Sequence, residues 1–428
     1  MNSALDSIKV LFSAPELKKK IIFTFAILFI FRLLAHVPIP GANIKALQEL
    51  FSGSQILGFL NVFTGGGMEN FSLITLGLGP YINASIIMQL FTKVIPKLEE
   101  MSKEGEFGRV KINQYTRMLA VPLCALQSYG MYILLQKQGI ILPLEIFDTI
   151  RLVITMTAGT IILMWFGELI SEYGIGNGVS LLIFAGIVAK LPLSFGQTLA
   201  TVSSSGITNT LLLGILAIGV ISVVVYINEA TRNVQIQYAR RLRGGRIYGG
   251  GSNFLPLRVN MAGMIPIIFA VSLVLAPSLV GGALQGSPNP ALAQVAGVIN
   301  SYFLVGGTAY NAFYFILVFA FTYFYTAVAF NPEDVADNLK KQGGFIPGIR
   351  PGHATSEYLN GIVTRITAVG ALFLGLVAVL PNLAQSFTGI STLTVGGAGI
   401  LIVVSVVLET VKSIQSQLIM RDYEANII

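Results

Sequence analysis

Arg240, Arg241, Arg243 and Arg246 fall within seven residues and form a dense cluster of reactive side chains. Planar guanidinium forks suit carboxylates and phosphates, so this run could engage an anionic partner. A second polar stretch, Asn331-Pro332-Glu333-Asp334 through Lys340 and Lys341 to Pro347, Pro351 and Gly352, carries Arg350. Other chemistry is sparse. His36 and His353 are the only histidines and neither stands in H-E-x-x-H, while Cys124 is single, so no metal site, internal disulfide or cysteine cluster is expected. There is no G-x-x-x-x-G-K-[ST] phosphate loop. Gly244-Gly245 and Gly249-Gly250-Gly251 precede no helix, and they read as turns rather than a phosphate cradle. The inventory argues against an enzyme and implies no cofactor.

The elements that carry these residues are set by hydropathy. Ten apolar stretches, near 20–36, 71–92, 115–136, 152–171, 177–192, 209–227, 260–280, 308–330, 361–381 and 392–411, approach the roughly 20 residues a helix needs to cross a bilayer. Charged residues are only 11% of the chain and hydrophobic ones 54%, whereas a soluble domain carries about a quarter charged residues. Alternate loops hold 22 of the 27 lysines and arginines. Basic short loops stay in the cytoplasm, which predicts a multi-pass protein with both termini cytoplasmic. The net charge of +7 follows from this sidedness and predicts no direct DNA binding. Lys18, Lys19 and Lys20 precede a long run containing Arg32, which reads as a retained first helix. Leu5, Ile8, Leu11 and Phe12 before it have the spacing of a short interfacial helix.

In the cytoplasmic loop 232–258, Val234, Ile236 and Tyr238 alternate with Gln235, Gln237 and Ala239, then come the arginines, glycines and renewed β-formers. This pattern predicts a protruding β-hairpin with arginines at its tip. The arginines serve either to fix orientation in the membrane or to dock a large partner. In the loop 331–357, Asn331 to Asp334 predict the cap of a short helix through Lys341.

Ten spans with both ends inside divide into two sets of five, near 1–205 and 206–428, and an odd number per half makes the halves inverted. Inverted halves enclose a pathway, so a secondary transporter of a small solute is one reading. Such transporters place charges mid-membrane, and here the spans are nearly free of them apart from Arg32. Between the first two spans, Gly58, Phe59, Leu60, Asn61, Val62, Phe63, Thr64, Gly65, Gly66 and Gly67 make an apolar segment too short to cross. It fits either a re-entrant half-helix in a protein-lined cavity or a helix lying on the outer leaflet.

Several stretches resemble the SecY family, the channel subunits of the bacterial protein-secretion translocon. They are His36-Val37-Pro38-Ile39-Pro40-Gly41, Pro80-Tyr81-Ile82-Asn83-Ala84-Ser85-Ile86-Ile87-Met88-Gln89-Leu90 and Gly167-Glu168-Leu169-Ile170-Ser171-Glu172-Tyr173-Gly174-Ile175-Gly176-Asn177-Gly178. Asn260-Met261-Ala262-Gly263-Met264-Ile265-Pro266, Ala336-Asp337-Asn338-Leu339-Lys340-Lys341 and Pro347-Gly348-Ile349-Arg350-Pro351-Gly352 complete the set.

The resemblance implies an all-α polytopic fold of ten transmembrane helices, in two inverted, pseudo-symmetric five-helix halves around an hourglass pore. It implies a pore ring of Ile82, Ile86, Ile183, Ile187, Ile268 and Ile402, with residues 58–67 as a re-entrant plug. Gln89, Gln127 and Ser272 would lie at a lateral gate, and Arg240, Arg241, Arg243, Arg246 and Arg350 at the docking surface. The implied function is a protein-conducting channel of the bacterial cytoplasmic (inner) membrane. It would translocate unfolded secretory polypeptides and release membrane segments laterally into the lipid bilayer. Implied partners are the SecE and SecG subunits, the SecA ATPase, a translating ribosome, signal sequences and nascent polypeptides.

Overall fold

The computed structural model describes residues 15–40, 43–53, 61, 64–192, 196, 207–238, 241–243, 246–248, 252–284, 290–303, 307–388 and 397–427. The expected interfacial helix around Leu5 to Phe12, plug residues Gly58, Phe59, Leu60, Val62 and Phe63, Arg240, and the glycines at 244–245 and 249–251 lie outside them.

In chain order the helices are α1 (Pro15–Leu34), α2 (Ile44–Gly53), α3 (Gly79–Val94), α4 (Pro96–Lys103), α5 (Glu106–Lys137), α6 (Ile146–Tyr173), α7 (Gly178–Val188) and α8 (Ile207–Glu229). Strands β1 (Thr231–Tyr238), β2 (Arg241–Arg243), β3 (Arg246–Tyr248) and β4 (Ser252–Arg258) follow. Then come α9 (Ile265–Leu284), α10 (Pro290–Tyr302), α11 (Thr308–Ala329), α12 (Pro332–Lys341), β5 (Gly344–Phe345), α13 (His353–Thr388) and α14 (Gly397–Ile427). The chain falls into two compact units, one of Met1–Thr210, Pro277–Ser301 and Gly389–Ile428, the other of Leu211–Ala276 and Tyr302–Thr388.

Local chemistry sets the helix ends. The Asn177 side chain accepts the Ser180 amide at 3.1 Å and caps α7. Asn331 caps α12 by accepting from the Glu333 amide at 3.1 Å, as its sequence predicts. Pro332 opens that helix, with Glu333 and Asp334 in the first turn and Lys340 and Lys341 in the last, each sign matching the helix dipole.

Two helices begin later than the apolar runs predict. The 71–92 run becomes helical only at Gly79, after Phe71 at φ +46° and Gly77 at φ +57°, and Pro80 then opens α3. The turns over residues 71–78 are largely buried, so hydropathy alone cannot tell them from helix. The 260–280 run becomes helical at Ile265, after Gly263 at φ +63°. In contrast, α13 and α14 extend well past the apolar runs within them.

In the first unit, α5 packs on α3 and α6, α6 on α7 and α1, and α7 on α14. Some of these contacts bring backbone against backbone. A Cβ at Gly178 would stand 1.9 Å from the Gly167 carbonyl oxygen, and one at Gly159 would stand 1.9 Å from that of Leu73. Small residues allow such approach in lipid, where close packing rather than water exclusion holds helices together. In the second unit α11 runs along α13, and a Cβ at Gly375 would reach within 2.7 Å of the Phe315 ring. There β1 pairs antiparallel with β4, from Thr231 opposite Arg258 to Gln237 opposite Ser252, and its other edge pairs with β5. Val234 and Leu257 from this sheet are buried with Ile346, Leu359 and Val363.

Gly178→Ala should therefore destabilise the purified protein by about 1–3 kcal/mol, the usual cost of overpacking. Gly130, in α5, has nothing within 4 Å of its missing Cβ among the described residues, so Gly130→Ala serves as the control. Thermal unfolding in detergent should show a lowered midpoint for the first variant only. Equal midpoints would rule out the close approach of α6 and α7.

Candidate functional site

The irregular segment before α3 is built around glycine and one half-buried cation. Residues 37–39 run extended because Pro38 and Pro40 forbid a helix, leaving Ile39 as the available amide between them. That amide donates to the Phe71 carbonyl at 2.8 Å, and the Leu73 amide donates to the Val37 carbonyl at 3.1 Å. Gly65 and Gly66 take φ +71° and +85°, conformations that favour glycine. Space is equally tight: a Cβ at Gly65 would lie 2.7 Å from the Phe31 ring and 3.2 Å from Gly186 Cα. Arg32, the lone charge within the first span, donates from Nη1 to the Gly65 carbonyl at 2.7 Å. Its bonding partner is a backbone oxygen, which no sequence motif announces. Of the expected plug, Asn61 and residues 64–67 are described, with Asn61, Thr64, Gly65, Gly66 and Gly67 all buried.

The six expected ring positions divide among three groups. Ile183 and Ile187 are buried on α7, which packs against the helix α14 that carries the fully buried Ile402. Ile82 and Ile86 lie half-buried on α3, one turn apart. Ile268 is buried in the other compact unit, on α9. Arg117 on α5 pairs with Glu168 on α6 at 2.6 Å.

The expected gate residues show bonds within their own helices. Gln89 Nε2 donates to Ser85 Oγ at 3.3 Å, and Ser272 Oγ donates to the Ile268 carbonyl at 3.0 Å. The Gln89 side-chain carbonyl oxygen is buried without a partner among the described residues, a state that favours any rearrangement offering it a donor. Gln127 is half-buried on α5.

The two arginine-bearing loops form one structure. Strand β5 adds to β1 through Gln237 opposite Phe345 and Tyr238 opposite Gly344, giving the order β4-β1-β5. The two-residue strand Gly344–Phe345 carries no periodic signal, so the sequence does not reveal this link. Arg241, Arg243 and Arg246 lie on the paired strands β2 and β3, where Arg243 stands opposite Arg246. Arg350 is exposed, but its backbone is held: Thr355 Oγ1 donates to its carbonyl at 2.9 Å, and Ile346 and Ile349 pack into the apolar cluster below. The guanidinium thus projects from a fixed base.

By length and composition, five helical stretches among the described residues could cross a membrane: Glu106–Gln136, Ile146–Tyr173, Thr308–Lys341, His353–Leu380 and Gly399–Met420. Such a set defines a multi-pass α-helical membrane protein. The SecY family model matches residues 72–411. A protein translocase subunit SecY of Streptomyces scabiei is 44% identical over 431 residues, covering 96% of this chain and 97% of the relative. One of Mycobacterium tuberculosis is 42% identical over 436 residues, covering 96% of each. A solved protein-conducting channel matches with TM-score 0.64 at 21% identity, over 96% of both chains. A channel from a canine ribosome complex of the endoplasmic reticulum matches at TM-score 0.61, again at 21% identity over 96% of both chains. The chain belongs to the SecY family.

A Cβ at Gly344 would press within 3.1 Å of the Tyr238 ring and 3.3 Å of Ile236 Cγ2. Gly344→Val should release β5, because overpacking of about 1–3 kcal/mol outweighs a two-residue pairing. Trypsin should then cut after Lys341 several-fold faster in the folded protein. Unchanged cleavage would mean that the sheet does not tie the two loops together.

Proposed function

We infer that this chain is a protein-conducting channel, which passes unfolded secretory polypeptides across a membrane and releases membrane segments sideways into lipid. End-to-end kinship with translocase subunits carries this conclusion. It displaces the reading as a small-solute transporter, and the near absence of charge within the spans agrees with it.

In the mechanism we propose, ten spans form two inverted halves, 1–205 and 206–428, around an hourglass pore. This is a division by topology, and it differs from the compact units, which group α14 with α1 to α7. Ile82, Ile86, Ile183, Ile187, Ile268 and Ile402 form its constriction. Apolar side chains hold little water there, so ions are excluded at rest. They also offer no specific bonds, which lets chains of any sequence pass. Residues 58–67 act as the plug beneath that ring, supported by the tight glycine packing at Gly65 and Gly67.

A signal sequence is apolar and prefers a seam open to lipid, so it shifts the channel toward the open state by binding that state better. Gln89, Gln127 and Ser272 sit at this lateral gate. No energy source lies in the chain, and the motor is external. SecA or a translating ribosome docks on the cytoplasmic hairpin at Arg240, Arg241, Arg243 and Arg246 and on Arg350, while SecE and SecG complete the complex. The setting is the bacterial cytoplasmic membrane, with both termini inside. The exposed guanidinium of Arg350 on a pinned backbone supports the docking role.

Ile86→Asn combined with Ile187→Asn should hydrate the constriction and raise ion conductance of the idle channel in planar bilayers. A folded double variant that stays as tight as the parent would remove these residues from the ring. Arg350→Glu should weaken motor or ribosome binding at least several-fold at unchanged membrane abundance, with added salt mimicking the effect in the parent. Normal binding and secretion by that variant would refute the docking role.

A further inference from the structure

Glu69 follows the glycine segment and Lys190 lies just past the end of α7, where the Lys190 amide bonds the Ile187 carbonyl at 3.2 Å. The two residues are 121 positions apart in sequence, yet Lys190 Nζ lies 2.9 Å from Glu69 Oε2. The same carboxylate oxygen accepts from Asn61 Nδ2 at 2.6 Å, and the Glu69 amide returns a bond to Asn61 Oδ1 at 3.1 Å. Asn61 is 1% exposed, so the Glu69 carboxylate links the Lys190 ammonium to a buried amide. The Lys190 side chain is only 20% exposed, and its Cε would lie 3.3 Å from a Cβ at Gly66, so its stem lies close against the glycine turn. That turn is closed by the Gly66 amide donating to the Asn61 carbonyl at 2.9 Å.

We propose that Glu69 and Lys190 are positioning residues that latch the plug shut through the Asn61 amide. The latch deepens the plug reading and rests on it. Lys190, in the backbone turn that follows Ile183 and Ile187, holds the Glu69 carboxylate in place, and that carboxylate holds Asn61 on the far side of the hinge at Gly65 and Gly66, so the plug leaves only when the Glu69–Asn61 bonds break. Two glycines at positive φ turn freely once released. A single carboxylate oxygen shared by an ammonium and a buried amide is the point on which both bonds depend. The latch is graded in strength. A partly exposed pair is worth enough to bias a closed state without locking it, which suits a channel opened by an inserted signal sequence.

The test compares idle ion conductance of the reconstituted channel complex for the parent, Glu69→Lys, Lys190→Glu and the double exchange. Each single reversal sets like charges together and should raise idle conductance about fivefold, the effect of roughly 1 kcal/mol on a closed-to-open balance. Each should also pass a substrate with a defective signal sequence. The double exchange restores the ion pair but offers Asn61 Nδ2 no acceptor at residue 69, so conductance should fall well below that of either single variant without reaching the parent value, a recovery that a general loss of stability would not give. Deletion of 58–67 provides the reference for an unplugged channel. If the deletion leaves conductance unchanged, the plug reading fails and the latch with it. A leaky deletion beside tight single variants at normal abundance would overturn the latch alone. A double exchange as leaky as the single variants would show that pairing is not what holds the plug.

Discussion

Irregular backbone among membrane helices survives only where its carbonyls and amides find partners inside the protein, because lipid offers none. Residues 64–78 meet that condition in several ways at once. The extended stretch at Val37 to Ile39 supplies amide and carbonyl partners to Phe71 and Leu73. Asn70 Nδ2 donates to the Ala35 carbonyl at 3.3 Å. Arg32 covers the Gly65 carbonyl, turning an awkward intramembrane charge into a hydrogen-bond donor for the loop. Without these bonds the segment would fold away to the surface, and the glycine turn could not be held against Phe31 and Gly186.

Glycine packing has a second consequence. Where Gly159 meets Leu73 and Gly178 meets Gly167, backbones touch without intervening side chains. Such contacts have little slack, since interiors are close-packed and deform by discrete steps. The α6 to α7 corner, capped by Asn177 and tied by the Gly178 amide donating to Ser171 Oγ at 2.9 Å, is therefore a stiff frame. In the proposed mechanism the movable part is the glycine turn at 65–66. Stiffness and mobility are thus assigned to neighbouring stretches by the same residue type: glycine in a helix contact locks, and glycine at positive φ in a turn yields.

Much of this was legible from the chain. The charge bias of the loops and the apolar runs indicated most of the long helices, and Asn331 with Pro332 announced the start of α12. Three features were hidden for physical reasons. Residues 71–78 are as apolar as a helix, and only the glycines at 77 and 79 with Pro80 mark the break. Strand β5 is two residues long, below any periodic signal, so the joining of the two arginine-bearing loops could be seen only in three dimensions. The partners of Arg32 and Glu69 are a carbonyl and a distant lysine, and neither follows from local spacing.

The chain uses different interactions on the two faces of its task. Within the spans the candidate constriction is made of isoleucine, which contributes dispersion and excludes water but discriminates little among passing chains. On the loops the candidate contacts are arginines, whose forked donors favour particular anionic surfaces and whose pull is weakened by salt. On the proposed reading, selectivity lies at docking and at the gate, while the isoleucine constriction tolerates any sequence. Arg350 illustrates how this separation is built: its carbonyl and the apolar side chains beside it are fixed to the sheet and α13, while its guanidinium stays exposed. Because that anchor runs through β5 to β1, a force applied at either loop is borne by one small sheet. In the proposed docking, a motor on the arginine surface would act on both loops at once through the β4-β1-β5 sheet.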